Sequence, residues 1–219
     1  MKIDGADRLN LVLLVLSLIV VGVLYDKLPD PMPTHWNIRG VADGFTPKPW
    51  GAFIGPIVMA AMILLLWLFP VISPRGFQID PFRKVYGILK VSVGAFIFLI
   101  NLAAVSQALE IGLPVERVIP ALVGLLFVIL GNFMGKLRKN FFVGIRTPWT
   151  LASDEVWLRT HRLGGVVFFW CGLLIFIGSL LGMAGGWLFG LIILAALVPV
   201  VYSFVFYRKI EAHKADEIS

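Results

Sequence analysis

The sequence is poor in charge and in the residues that build catalytic or metal centres. Among its 219 residues are one cysteine and three histidines, and only 15% are charged. A single cysteine, Cys171, excludes an intrachain disulfide. No His-Glu-x-x-His pattern, cysteine pair or carboxylate cluster supplies the converging ligands of a metal site. We therefore expect no metal, no cofactor and no catalytic centre.

Apolar residues are abundant instead: they form 59% of the chain, and the mean hydropathy is +0.91. A soluble domain is only about 45–50% apolar and carries about 25% charged residues. Six apolar stretches approach the roughly 20 residues that span a bilayer as a helix. They are residues 9–25, 52–72, 85–109, 118–134, 163–183 and 187–207. Because backbone groups in lipid must bond within their own segment, we predict an all-α membrane protein with six transmembrane helices.

Lysine and arginine are distributed unevenly between alternate connections. Of the 19, the connections on the side of the N-terminus hold 14, those on the other side hold 4, and Lys90 lies inside a span. The positive-inside rule then places both termini in the cytoplasm. We interpret the net charge of +6 as a topology signal with an attraction for anionic lipid, and expect no direct contact with nucleic acid.

The sequence also predicts the surroundings of three polar residues within the spans. Lys90 lies near the cytoplasmic end of the third span, where its long side chain is expected to snorkel to the headgroups. Asn101 and Asn132 are expected to form hydrogen bonds between helices.

The connection between the first two spans, residues 26–50, is rich in proline and other turn formers. Polar and apolar residues alternate over residues 34–38, and the dipeptide Asp43-Gly44 is typical of a hairpin turn. We predict a small Pro-rich extracytoplasmic cap over the outer helix ends, built as an extended segment or a hairpin. Its candidate ligand-binding residues are Pro33, Thr34, His35, Trp36, Asn37 and Asp43.

The connection between the fourth and fifth spans, residues 136–162, has the pattern of a folded segment. Thr147 before Pro148 suits a helix start, and Ser153 before two acids suits a second start that runs into the fifth span. We predict an inner platform with arginine–acid pairs to Asp154 or Glu155, which either contacts a cytoplasmic partner or is purely structural. Its candidate residues are Asn132, Lys136, Asn140, Arg146, Thr147, Pro148, Trp149, Trp157, His161 and Arg162.

The same two connections resemble known families. Residues 28–40 with Asp43-Gly44 resemble an N-terminal membrane domain of unknown function found in bacterial and archaeal proteins. Residues 131–136, 144–150 and 160–162, with Asn140 and Trp157, resemble the signature of the SdpI family. On this resemblance we expect an N-terminal membrane domain at 1–84 and an SdpI-like domain at 85–219.

The resemblance implies an immunity or sensor protein of the cell membrane and no enzyme. The family's type member protects the producing cell against a secreted membrane-active peptide toxin, and it also holds a repressor of the ArsR type at the membrane. The expected partners are therefore the lipid bilayer, a peptide toxin and such a repressor. A small transporter or exporter of peptides or amphiphiles is the alternative. A membrane enzyme ranks last, because the sequence shows no nucleophile–base pair.

Overall fold

The computed structural model describes residues 3–37, 41–183 and 186–218. Its helices and strands are, in chain order, α1 (Gly5–Leu24), β1 (Met32–Trp36), β2 (Ala42–Thr46), α2 (Lys48–Gly51), α3 (Ile54–Ile72), α4 (Arg83–Ala108), α5 (Val115–Met134), α6 (Pro148–Ala152), α7 (Asp154–Leu180) and α8 (Gly186–Ile218). Within these residues six helices, α1, α3, α4, α5, α7 and α8, are long and apolar enough to cross a bilayer. The six predicted spans are confirmed, and the chain is a multi-pass membrane protein. The cytoplasmic placement of both termini stays a prediction, and Lys2 and Arg39 of the charge pattern lie outside the described residues.

The outer faces of these helices are strongly apolar, as expected where lipid replaces water. Val23 on α1 and Val205 on α8 are 75% and 58% exposed. Polar side chains lie inside instead: Asn101 Nδ2 on α4 donates to Ser17 Oγ on α1 over 2.9 Å, and both residues are buried. This confirms the hydrogen bond predicted for Asn101, and it follows the rule that membrane helices associate through small and polar residues.

Glycines form the contact between α5 and α7. A Cβ atom on Gly131 would lie 2.5 Å from the backbone nitrogen of Phe169 and 2.7 Å from the carbonyl oxygen of Gly165. One heptad earlier, a Cβ atom on Gly124 would lie 2.7 Å from the carbonyl oxygen of Gly172. The two helices thus touch backbone to backbone along a seam, and this seam joins the two ends of the bundle.

Lys90 does not snorkel, and that expectation is wrong. Its ammonium lies 2.6 Å from Asp7 Oδ1 and 2.9 Å from Asp4 Oδ2, and its side chain is only 5% exposed. The two acids also form the capping box at the start of α1. Burial raises the pKa of Asp4, but the hydrogen bond from Lys90 and the other contacts outweigh it and hold that pKa below its usual value. The buried charges therefore fix the N-terminal end of α1 to α4.

Strands β1 and β2 form an antiparallel hairpin between α1 and α2, with Met32 opposite Thr46. The expected turn at Asp43-Gly44 is wrong, because both residues lie inside β2. The chain reverses after Asn37, whose N–H donates to the carbonyl of Val41 over 3.0 Å, and Ile38, Arg39 and Gly40 between them lie outside the described residues. Gly44 faces His35 instead, where a Cβ atom would lie 2.8 Å from the Cβ atom of His35.

Candidate functional site

Residues 136–162, called the platform below, are organised around the buried side chain of Asn140. Its Nδ2 donates to the carbonyls of Arg138 and Val143 over 3.0 and 2.9 Å. Its Oδ1 accepts from the N–H groups of Phe142 and Val143 over 2.9 and 2.7 Å. One amide thus satisfies four backbone groups in a stretch without helix or strand, which is what a buried irregular segment requires.

Trp157 and His161 join this loop to the first turns of α7. Both are buried, and their rings stack with centroids 4.0 Å apart. Trp157 Nε1 donates to the carbonyl of Leu137 over 2.9 Å. His161 Nε2 accepts from the N–H of Ile145 over 2.9 Å, so the proton lies on Nδ1, which donates to the carbonyl of Trp157 over 2.8 Å. Gly144 passes this ring with a φ of 110°, and a Cβ atom there would clash with Nε2.

Both predicted helix starts in the platform are confirmed. Thr147 caps α6 with Pro148 in the first turn, and Ser153 Oγ accepts from the N–H of Val156 at the start of α7. The Thr147 hydroxyl also lies 3.1 Å from Ser203 Oγ on α8, which fixes α6 to the last span. Sequence reasoning missed Ser203, whose one signal is a hydroxyl inside an apolar stretch.

The other predicted platform residues lie at the surface. Lys136, Arg146, Pro148 and Arg162 are exposed, and Trp149 is half-buried with its ring 5.0 Å from that of Phe204. Arg146 Nη1 donates to the carbonyl of Phe141 over 2.7 Å.

One expectation for this end of the molecule is confirmed and one is wrong. The arginine–acid pair expected at Asp154 or Glu155 is present, because Glu155 lies 3.7 Å from Arg159, whereas Asp154 pairs with Lys139 at 2.5 Å. Glu155 and Arg159 are four residues apart on one helix face, which favours their pairing. Asn132 is exposed on α5 and makes no interhelical hydrogen bond within the described residues.

At the opposite end of the bundle, β1 lies between two apolar cavities. The α5–α8 cavity, of about 360 Å³, has walls from α5, α7 and α8 that include Ile119, Val123 and Leu188. The α3–α4 cavity, of about 260 Å³, lies on the other side of β1. Trp36 and Thr34 line both cavities. The hairpin thus separates two cavities whose volumes are near the lower end of the range of about 300–1,000 Å³ found for ligand sites.

The predicted outer residues divide between these cavities and the hairpin surface. Thr34, His35, Trp36 and Asn37 line the α5–α8 cavity, and Pro33 lines the α3–α4 cavity. Asp43 lines neither: it is exposed, and its Oδ1 lies 2.5 Å from His35 Nδ1. Glu116 is exposed and contributes a carboxylate to the α5–α8 cavity. Apolar walls with a polar rim are suited to an amphipathic ligand.

Comparison with known proteins assigns both ends of the chain. Residues 136–203 match the SdpI/YfhL protein family. This part of the chain is similar to that family. Its matched residues begin in the platform and end at Ser203, the α8 residue bonded to Thr147. Residues 12–60, which include the hairpin, match a domain of unknown function, DUF1648.

The chain is also similar along its length to a characterised relative. Immunity protein SdpI of Bacillus subtilis (strain 168) is 25% identical over 210 residues, which are 94% of this chain and 98% of that protein. No solved structure matches the chain. The family resemblance expected from the two connections is confirmed.

Proposed function

We propose that this protein gives the cell that makes it immunity against a secreted, membrane-active peptide toxin. The observation that supports this proposal is the similarity to an immunity protein over 94% of this chain and 98% of the relative. A likeness confined to the SdpI/YfhL domain would support a shared fold only, whereas this one includes the hairpin and both of its cavities. We assign the role of toxin contact to the hairpin end and propose that the hairpin faces the outside.

The α5–α8 cavity is the proposed binding site for the apolar part of the toxin. A peptide that acts on membranes presents an apolar face next to a polar one. Apolar side chains would pack against Ile119, Val123 and Leu188, while polar groups would meet His35 and Glu116 at the rim. Because lipid chains are as apolar as these walls, binding of a peptide taken from the bilayer depends on packing and on the polar contacts at the rim. A peptide held there is withdrawn from the surrounding lipid.

Arg146 and Trp149 of the platform are the proposed contact for a cytoplasmic repressor of the ArsR type. Asn140, Trp157 and His161 are buried and hydrogen-bonded within the chain, which makes them supports. Arg146 is exposed and Trp149 is half-buried, and neither bonds to Asn140, Trp157 or His161, so both can change without removing that support.

The immunity proposal is tested by survival. A Bacillus subtilis strain that lacks its own immunity protein SdpI is given this chain and exposed to that strain's toxin and to other membrane-active peptides. We expect the chain to restore growth against at least one of these peptides. Equal killing with and without the chain, at equal membrane abundance of a folded protein, contradicts the immunity proposal.

A pair of matched variants tests the cavity. Val123→Trp fills the α5–α8 cavity, whereas Val201→Trp adds the same bulk at a lipid-facing position of α8 that is 58% exposed. We expect the first to lose protection and the second to keep it, with equal amounts of both in the membrane. Protection by both variants contradicts the proposed site but leaves the immunity proposal in place.

The repressor contact has its own test. Arg146→Ala with Trp149→Ala should leave insertion and immunity intact and release a co-expressed ArsR-type repressor from the membrane fraction. Arg208→Ala, an exposed residue outside the platform, serves as the control. If the soluble fraction holds as much repressor with the native chain as with the double variant, the proposed contact is wrong.

A further inference from the structure

An open groove at the platform end brings together basic side chains from three separate parts of the chain. Arg83 and Lys84 come from the start of α4, Lys136 and Arg138 follow α5, and Arg162 lies on α7. The groove has a volume of about 870 Å³. All five residues are exposed, so their charged groups are open to an anion from outside the chain.

The acids of the groove are already paired. Asp80 lies 3.8 Å from Arg83, and Asp4 lies 2.9 Å from Lys90, which is outside the groove. Among the described residues no carboxylate lies within ion-pair distance of Lys84, Arg138 or Arg162. These side chains therefore repel one another, and the chain places no negative charge beside them. An external anion would supply that counter-charge.

The floor of the groove identifies the class of anion. It includes Val85, Leu158 and two glycines, Gly87 and Gly135, which leave room between the helices. One turn beyond Lys84, Ile88 on α4 is 39% exposed on the membrane-spanning part of that helix. A ligand with an anionic head and apolar chains fits cations at helix ends next to an apolar helix surface.

We propose that this groove binds the headgroup of an anionic phospholipid. Lys84, Arg138 and Arg162 hold its phosphate, and its acyl chains lie along the exposed face of α4. A bound lipid would join α4, α5 and α7 at the platform end. This assignment does not depend on immunity, because it rests on charge and position alone.

The full-length chain is tested in vesicles of equal parts phosphatidylcholine and phosphatidylglycerol. Native mass spectrometry after gentle extraction counts the lipids that stay bound. We expect phosphatidylglycerol to be enriched over phosphatidylcholine. In the triple variant Lys84→Gln, Arg138→Gln, Arg162→Gln the enrichment should fall by about fivefold for each cation removed.

Two further variants control for net charge and for folding. Arg75→Gln, Arg208→Gln, Lys209→Gln removes three exposed cations that do not line the groove and should keep the enrichment. Lys84→Arg, Arg138→Lys, Arg162→Lys keeps every charge and should also keep it, even if the glutamine triple fails to insert.

Several results would overturn the lipid assignment. Equal loss of enrichment in both glutamine triples would mean that only the overall charge of this face matters. Thermal protection of the lipid-free protein by inorganic phosphate, as strong as that by phosphatidylglycerol, would mean a site for free anions. Stronger protection by polyglutamate than by phosphatidylglycerol would mean a docking surface for an acidic protein.

Discussion

The platform end and the hairpin end of the bundle differ in how their polar side chains are used. At the platform end, Asn140 and His161 are buried, and each of their hydrogen-bonding groups meets a backbone partner. At the hairpin end, His35 and Asp43 pair in the open, and Trp36 Nε1 is buried without a partner among the described residues. Two apolar cavities flank the hairpin.

This difference suggests that the platform end serves mainly the stability of the fold and the hairpin end mainly the binding of a ligand. At the platform end Thr160 Oγ1 is buried without a partner among the described residues, but the groups around Asn140 and His161 are all paired. Such a paired cluster resists change, because removal of one partner leaves another buried group unsatisfied. An end with apolar cavities offers contacts to a ligand of matching shape. Substitutions of the buried, hydrogen-bonded residues at the platform end should therefore lower stability, whereas those at the hairpin end should mainly affect ligand binding.

The largest loss of stability is expected from substitutions in the glycine seam that joins the two ends. Gly131→Leu should prevent folding, and Gly131→Ala should cost about 3 kcal/mol, because the added atoms meet the backbone of α7 and not flexible side chains. Gly190→Ala, at an exposed site of α8 with no atom within reach, is the control. Thermal unfolding in detergent measures both. An unchanged midpoint for Gly131→Leu would show that the two ends are not rigidly joined.

The second-largest loss of stability is expected from a change in the buried charge cluster that fixes α1 to α4. Lys90→Met leaves Asp7 buried without its cation and should cost about 3–5 kcal/mol. Asp4 has a lowered pKa in the folded state, so its contribution is present above its ordinary pKa of 3.8 and is lost as the pH falls through the folded value. Unfolding midpoints across an acid titration test this, and an equal acid-induced loss in Lys90→Met would contradict it.

A pair of histidines compares the two ends directly. His161→Ala removes a buried stacked ring and leaves the N–H of Ile145 unpaired, at a cost of about 3 kcal/mol. His35→Ala changes an exposed side chain and should alter the free energy of unfolding by less than about 0.5 kcal/mol. Similar losses in chemical denaturation would remove the distinction between the ends.

The smallest difference is expected between two asparagines near the platform. Asn140→Ala should cost about 2 kcal/mol, because it releases four backbone hydrogen bonds of a buried loop. Asn132→Ala, on the exposed surface of α5, should have an effect near zero. If both variants unfold at the same temperature, Asn140 does not organise the platform.

Much of the fold follows from local sequence, but the partners of polar side chains do not. The six spans depend on the composition of single stretches, and the caps at Thr147 and Ser153 depend on neighbours three residues away. Lys90 meets Asp7 across 83 positions of chain. Nothing near Lys90 in sequence indicates this pairing, so snorkelling was the reasonable but wrong expectation.

The candidate sites divide in the same way. The signature residues of the inner connection were identified by their pattern, but burial alone separates the supporting Asn140 and His161 from the exposed Arg146. In the hairpin, the dipeptide Asp43-Gly44 is typical of turns but lies inside β2. The pairing of Met32 with Thr46 sets a register in which the chain reverses before this dipeptide.

The sequence by itself thus determined a six-helix membrane protein with two structured connections and an SdpI-like signature, because hydrophobic length, capping and motif order are properties of neighbouring residues. Only the tertiary structure decided that Lys90 is paired, that Gly124 and Gly131 bring two helices into backbone contact, and that β1 lies between two cavities. Each of these depends on distances between segments far apart in the chain, which helix packing sets and local pattern does not.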